Sequence, residues 1–174
     1  LTDHYLLDTY VTRPMFDMSQ CKTEYFITQS SPEYKRYLLT QDGVSPRAIP
    51  GLGEGLVRVD SDEHTESGEI TEDSQIRTSM VNKRLKKYIF LQNDSILPEL
   101  IGNAAYKILL IGWGSTYAAI KEALSRLDRN DVAFLYCKQI YPLPENMYEY
   151  LEKAEQRIII ENNATAQFGS FLEQ

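Results

Sequence analysis

The chain has 174 residues, 25 of them acidic and 18 basic, which gives a formal net charge of −7 at pH 7. This acidic balance argues against nucleic acid or an anionic membrane surface as the main partner. Hydrophobic residues make up 43% of the chain, enough for a core, and no apolar run approaches the roughly 20 residues that a membrane-spanning helix needs.

The first 70 residues contain few periodic elements. Residues 25–27 form one short alternating stretch, and residues 30–68 are rich in proline and glycine and therefore typical of a loop. A strand is predicted within that loop, over residues 55–59. The glycines at 51–55 precede a strand rather than a helix, so they lack the helix N-terminus that would favour a bound anion.

A helix is predicted over about residues 71–91, because apolar residues recur there at helical spacing. Thr71 is its predicted N-cap, and Glu72 and Asp73 are predicted in its first turn.

The charge of the chain is concentrated around this helix, with seven acids before it and in its first turn and five bases further along it. The acids are Asp60, Asp62, Glu63, Glu66, Glu69, Glu72 and Asp73, and the bases are Arg77, Lys83, Arg84, Lys86 and Lys87. Acids at the start and bases towards the end complement the helix dipole. We interpret the two blocks as helix electrostatics and a solvated face, with a recognition surface for another subunit as the alternative.

Residues 105–174 predict an α/β module. Apolar runs at 106–112, 132–137 and 157–161 alternate with helical patterns, and the order is strand, helix, strand, helix, strand, helix. Apolar runs without alternation are typical of strands buried on both faces, as in a parallel sheet flanked by helices.

The two cysteines, Cys21 and Cys137, form no C-x-x-C motif, so the chain alone supports neither a disulfide framework nor an iron–sulfur cluster. This cysteine usage predicts a reducing, cytoplasmic location. The chain begins with Leu1 rather than Met and ends, at 168–172, in a pattern typical of a helix that continues. We therefore expect a fragment of a longer polypeptide.

Two short motifs carry polar groups that could in principle bind a ligand. The turn at 112–116, with Ser115 or Thr116 as the predicted cap of the next helix, offers backbone amides to a phosphate. It lacks the third glycine of the dinucleotide motif and the lysine of a P-loop, so a structural turn is favoured. The carboxylates and imidazole at 60–64 do not match the calcium-loop spacing, and we assign no metal site.

Arg47 is the residue that we single out. Pro46 disfavours helix at the residue before it, so the arginine lies on an extended segment stiffened by proline. Such a segment can aim a guanidinium at a carboxylate, although most arginines in loops are solvated.

Seven motifs in order carry a resemblance to a known family. They are YKRY (34–37), DGVSPRAIPG (42–51), DSDEH (60–64), GEITED (68–73), MVNKR (80–84), GWGST (112–116) and ENNATAQ (161–167). The set resembles the α subunit of 2-oxoacid:ferredoxin oxidoreductases, and among these the 2-oxoglutarate-type members.

The resemblance implies a division of the chain into three parts. Residues 1–30 would be the tail of the pyrimidine-binding domain, which contributes to the thiamine diphosphate site, with residues 1–7 as its closing strand. Residues 31–104 would be a connecting arm with the helix. Residues 105–174 would be a transketolase C-terminal-like α/β domain, incomplete at its C-terminus. The body of the pyrimidine-binding domain is absent, so the isolated chain is expected to be inactive.

The resemblance also implies the reaction. The family oxidatively decarboxylates a 2-oxoacid to its acyl-CoA, with electrons passed through iron–sulfur clusters to ferredoxin. Arg47, in the Ser-Pro-Arg motif, is expected to bind the substrate carboxylate. The expected substrate is 2-oxoglutarate, with pyruvate and branched-chain 2-oxoacids left open. No catalytic, cofactor-binding or metal-binding residue is assigned.

Thiamine diphosphate, Mg²⁺ and the clusters are implied for the holoenzyme, with coenzyme A as co-substrate. A thiamine-binding β subunit is the implied partner, with further subunits of the same enzyme. The alternative is a non-catalytic interaction or regulatory domain of transketolase-like fold.

Overall fold

The structure is a computed structural model that describes residues 10, 15, 17, 19, 21 and 23–173. The chain forms two compact units, and the boundary between them lies between Leu91 and Gln92. The predicted strand over residues 1–7 lies outside the described residues.

In the unit that contains residues 23–91, two short strands pair in parallel. They are β1, Phe26–Ile27, and β2, Arg47–Ala48. β1 lies within the short alternating stretch at 25–27. The strand predicted over 55–59 is wrong, since these residues are irregular. Gly55 lies against other backbone instead, where an added Cβ would be 2.6 Å from the carbonyl oxygen of Ser31.

The helix α1 spans Ser74–Asn93. Its first amides are capped by the carboxylate of Asp73, which accepts hydrogen bonds from the backbone of Gln75 at 2.8 Å and of Ile76 at 3.0 Å. The predicted cap at Thr71 is wrong, because its hydroxyl accepts instead from the amide of Asp73 at 3.2 Å. The two acids predicted in the first turn therefore precede the helix, where a carboxylate still stabilises its positive end.

The unit that contains residues 92–173 is an α/β fold, as predicted, around a four-stranded sheet of order β3-β5-β4-β6. The strands are β3, Glu99–Gly102; β4, Ile108–Trp113; β5, Val132–Cys137; and β6, Gln156–Ile160. β4 pairs in parallel with β5 and β6, while β3 pairs antiparallel with β5. β3 was not predicted, and the predicted boundary at residue 105 leaves it in the connecting arm. Its four residues are too few and too exposed for an apolar run to reveal an edge strand.

Three helices cover this sheet: α2, Thr116–Leu127; α3, Met147–Lys153; and α4, Gln167–Leu172. The core includes Tyr106, Leu109, Ile111, Ala133, Leu135, Cys137, Met147, Leu151, Ala154 and Phe168. The strands were predicted to be buried on both faces, and this is confirmed for the central strand β5. It is wrong for the edge strand β6, whose Ile158 is 38% exposed. Within residues 23–173, no helix combines the length and the apolar composition that crossing a membrane requires.

Gly112, near the end of β4, permits α2 to pack closely on the sheet. A Cβ at this position would lie 2.5 Å from Ile120 Cδ1, 2.8 Å from Thr116 Oγ1 and 3.2 Å from Phe134 Cε2. Ile120 and Phe134 are buried, so they have little room to move away.

We expect Gly112→Ala to lower the free energy of unfolding by about 1–3 kcal/mol, because the added methyl group overpacks this contact. Urea denaturation measures the loss. Gly169→Ala is the matched control, since its added methyl group would lie 3.4 Å or more from its neighbours, an ordinary contact distance. Equal losses in the two variants would contradict close packing at Gly112.

Candidate functional site: the Ser-Pro-Arg segment

Arg47, the predicted substrate-binding residue, lies in β2 with its side chain exposed. Within the part of the chain that the structure describes, its guanidinium forms no hydrogen bond or ion pair. The N–H donors of the guanidinium are therefore available to an anion from outside these residues.

The backbone around Arg47, in contrast, is firmly held by β1. The amide of Arg47 donates to the carbonyl oxygen of Tyr25 at 2.6 Å, and the amide of Ile49 donates to that of Ile27 at 3.2 Å. These bonds fix the direction in which the Arg47 side chain leaves the strand.

Tyr34 holds the same segment from its other side. Its hydroxyl donates to the carbonyl oxygen of Pro46 at 3.0 Å and accepts from the amide of Ala48 at 2.9 Å. The Tyr34 hydroxyl thus provides a hydrogen-bond partner for a backbone group on each side of Arg47. These bonds add to the strand pairing with β1 in holding the segment.

Ser45, two residues before Arg47, is anchored in the interior. It is 5% exposed, and its hydroxyl donates to the carbonyl oxygen of Leu38 at 3.0 Å. The same hydroxyl accepts a hydrogen bond from Nζ of Lys83, a residue of α1 that is 6% exposed. A buried ammonium group therefore contacts the start of the Ser-Pro-Arg segment.

The surroundings of Lys83 disfavour its charged form. Burial, followed by repulsion from Lys87, Arg36 and Arg84, lowers the pKa of Lys83 to about 8, and attraction by Glu66 only partly opposes this. No described carboxylate lies within ion-pair distance of Nζ of Lys83. The cation is held in the interior without the pairing that buried charges usually have.

His64 of the DSDEH motif is a packing residue. Its ring stacks on that of Tyr37, with centroids 3.6 Å apart and an interplanar angle of 20°, and its Nδ1 lies 3.2 Å from the carbonyl oxygen of Thr65. Nζ of Lys83 lies 5.9 Å from the centroid of the same Tyr37 ring. Among the described residues, no group of three or more His, Cys, Asp and Glu side chains could hold a metal ion.

Three carboxylates of the acidic block form ion pairs within the unit that contains residues 23–91. The pairs are Glu63–Arg84, Glu66–Lys35 and Glu69–Arg58. Arg84 donates two hydrogen bonds to Glu63, at 3.1 and 2.8 Å, and its guanidinium lowers the pKa of that carboxyl below the ordinary value. The helix-dipole interpretation is wrong for the basic block, because the last turn of α1 contains no base. Arg84 instead ties the helix to the acidic loop.

In the other unit, the turn at 112–116 is closed by Thr116. Its hydroxyl donates to the carbonyl oxygen of Trp113 at 2.8 Å and accepts from the Trp113 amide at 3.1 Å. Ser115 occupies the N-cap position of α2 but makes no side-chain cap hydrogen bond. The predicted hydroxyl cap is therefore wrong, and the motif closes a tight turn.

Glu161 organises the end of β6. It accepts hydrogen bonds from the Trp113 indole at 3.4 Å and from the amides of Phe168 at 3.2 Å and Gly169 at 3.1 Å. Burial alone would raise the pKa of Glu161, but hydrogen bonds from Gly169, Asn163, Phe168 and Trp113 together lower it. The ENNATAQ motif thus joins β4 and β6 to α4.

The residues that support Arg47 were not predicted from the sequence. Tyr34, Ser45 and Lys83 all belong to motifs quoted above, but no spacing rule connects them, because they meet only in the folded chain.

No family model matches the chain. Three curated relatives are similar to it, all named as α subunits of 2-oxoacid:ferredoxin oxidoreductase. The protein from Saccharolobus solfataricus is 34% identical over 159 residues, which cover 87% of this chain and 24% of the relative. The protein from Sulfurisphaera tokodaii is 32% identical, and the match covers 96% of this chain and 27% of the relative. A protein from Aeropyrum pernix is 32% identical, and the match covers 99% of this chain and 28% of the relative.

A solved structure is similar in fold as well. It is 2-oxoglutarate:ferredoxin oxidoreductase from Magnetococcus marinus with 2-oxoglutarate, coenzyme A and succinyl-CoA bound. It aligns with a TM-score of 0.74 and 29% identity, covering 80% of this chain and 25% of that one. The chain thus spans about a quarter of the length of the proteins that it matches. The family resemblance drawn from the motifs is confirmed.

The depressed pKa of Lys83 predicts a pH-dependent stability. Between about pH 8 and the ordinary lysine pKa of 10.5, the unfolded chain binds a proton at Lys83 that the folded chain does not bind. The free energy of unfolding should therefore rise with pH in this window, by at most about 1.4 kcal/mol per pH unit from this residue. Chemical denaturation between pH 7.5 and 10.5 measures the slope.

Lys83→Met should reduce that slope, while Lys86→Met, which removes an exposed charge from the same helix, should retain it. The same pH slope in the wild type and in Lys83→Met would contradict the assignment.

Proposed function

We propose that this chain, which is homologous to the α subunits of 2-oxoacid:ferredoxin oxidoreductases, is part of such an α subunit and binds the carboxylate of the 2-oxoacid through Arg47. The observation that carries the proposal is the contrast at Arg47. Its backbone is fixed on two sides, by β1 and by Tyr34, while its guanidinium is exposed and has no partner among the described residues.

A guanidinium in this position suits a 2-oxoacid. It can donate two parallel hydrogen bonds to one carboxylate, which fixes the orientation of the substrate as well as binding it. Because the strand backbone does not need to reorganise when the anion arrives, little free energy is lost in ordering the site.

The proposed reaction converts a 2-oxoacid and coenzyme A to an acyl-CoA and CO₂, with two electrons passed to ferredoxin. Thiamine diphosphate, when bound, would supply the electron sink for this decarboxylation. We assign no residue of this chain to holding it, nor to holding Mg²⁺ or an iron–sulfur cluster. Those groups are proposed to lie in other parts of the enzyme, including a thiamine-binding β subunit, so the chain alone should be inactive.

We propose 2-oxoglutarate as the substrate. Support comes from the motifs, which resemble the 2-oxoglutarate-type members, and from the Magnetococcus marinus enzyme, which is named for this substrate. The three curated relatives are named for 2-oxoacids as a class, which agrees with a carboxylate contact common to all such substrates.

The test is substitution of Arg47 in the assembled enzyme. We expect Arg47→Ala to lower kcat/KM for the 2-oxoacid by roughly 100-fold. The transition state loses a charge-assisted hydrogen bond worth about 1.5–3 kcal/mol, and the substrate is no longer held in one orientation. Arg47→Lys should recover only part of this, since an ammonium keeps the charge but not the planar fork. Steady-state kinetics with 2-oxoacid and coenzyme A varied separately measures both effects.

Arg77→Ala is the matched control, since Arg77 is an exposed arginine of the same unit outside the Ser-Pro-Arg segment. A change of less than twofold in kcat/KM for Arg47→Ala would overturn the proposed carboxylate contact.

A further inference from the structure

We propose that Lys83 is a positioning residue for Arg47: its hydrogen bond to the hydroxyl of Ser45 sets the place of the Ser-Pro-Arg segment, and with it the aim of the guanidinium. The inference rests on the proposed role of Arg47 and names the residue that acts through it.

The contacts form a short chain from helix to substrate site. Lys83 extends from α1 and donates from Nζ to Ser45 Oγ, which in turn donates to the carbonyl oxygen of Leu38 at 3.0 Å. Pro46 follows Ser45 directly, and its fixed φ removes one of the backbone rotations between Ser45 and Arg47. A shift of Ser45 should therefore also move Arg47. The side chains of Lys83 and Ser45 are both less than one-tenth exposed.

The backbone packs on the helix at the same place. Gly43 has a φ of 77°, and a Cβ there would overlap the carbonyl oxygen of Lys83. The chain thus contacts α1 twice near the Ser-Pro-Arg segment, through the backbone at Gly43 just before it and through the side chain of Ser45 at its start. Lys83 is common to both contacts.

Packing alone does not account for a lysine at this position. A buried ammonium without a carboxylate partner is costly, and an apolar side chain of similar length would fill the same volume at lower cost. Arg36, Arg84 and Lys87 add repulsion, and Glu66 is the charged group that opposes it. What an apolar side chain would lack is the donor that directs Ser45 Oγ towards the carbonyl oxygen of Leu38.

A double-mutant cycle in the assembled enzyme tests the inference, with Lys83→Met, Arg47→Ala and the double variant. In the wild-type background we expect Lys83→Met to raise KM for the 2-oxoacid by about tenfold or more, since small displacements of an orienting group have large effects. KM for coenzyme A should stay within twofold. In the Arg47→Ala background, Lys83→Met should change kcat/KM by less than twofold.

Ser45→Ala should reproduce the effect of Lys83→Met and should also depend on Arg47. It provides the same cycle if Lys83→Met does not fold. Lys86→Met, from the exposed face of the same helix, is the control for loss of a positive charge and should behave as the wild type.

Three results would overturn the inference. Wild-type kinetics for Lys83→Met would show that the contact does not position Arg47. An equal loss in both backgrounds would show that Lys83 acts elsewhere, although Arg47 still binds substrate. If Arg47→Ala itself has no effect, the proposed function fails and the positioning role fails with it.

Discussion

The proposed site depends on how the segment that carries Arg47 is held: β1 and Tyr34 fix its backbone, and the hydrogen bond between Lys83 and Ser45 anchors its start in the interior. This hydrogen bond places a buried cation beneath the segment that carries Arg47, and it does so without an ion pair among the described residues. Burying this charge lowers the stability of the fold, while the hydrogen bond fixes the position of Ser45. Native proteins commonly accept such local costs at functional sites, where position matters more than stability.

The motifs divide by what their side chains do in the fold. The turn at 112–116 and the segment at 161–167 make hydrogen bonds that join strands and helices of the sheet unit. The motif at 60–64 supplies a stacked imidazole and an ion pair to α1. The segment at 42–51 differs, since hydrogen bonds hold its backbone from Pro46 to Ile49 while the guanidinium of Arg47 has no partner among the described residues. The motifs therefore include side chains that stabilise the fold as well as one proposed to bind substrate, and the two kinds differ in whether they have partners among the described residues.

Much of the sheet unit was predictable because its central strands are continuous apolar runs, and these can be read without knowledge of the fold. The edge strand β3 was not, because four half-exposed residues carry no such pattern. The helix α1 was predicted but its start was not, since Thr71 and Asp73 are both favourable caps and only the folded backbone chooses between them. The proposed contact between Arg47 and the substrate carboxylate came from the resemblance. Its support by Lys83 could not be predicted, because it joins residues far apart in sequence.

The most direct test of this account is a structure of the assembled enzyme with a 2-oxoacid bound. In that structure, we expect two guanidinium nitrogens of Arg47 to lie within about 3 Å of the oxygens of the substrate carboxylate. We also expect that Nζ of Lys83 still contacts Ser45 Oγ. A substrate carboxylate held by another cation, with Arg47 paired to a protein carboxylate or turned to solvent, would contradict it.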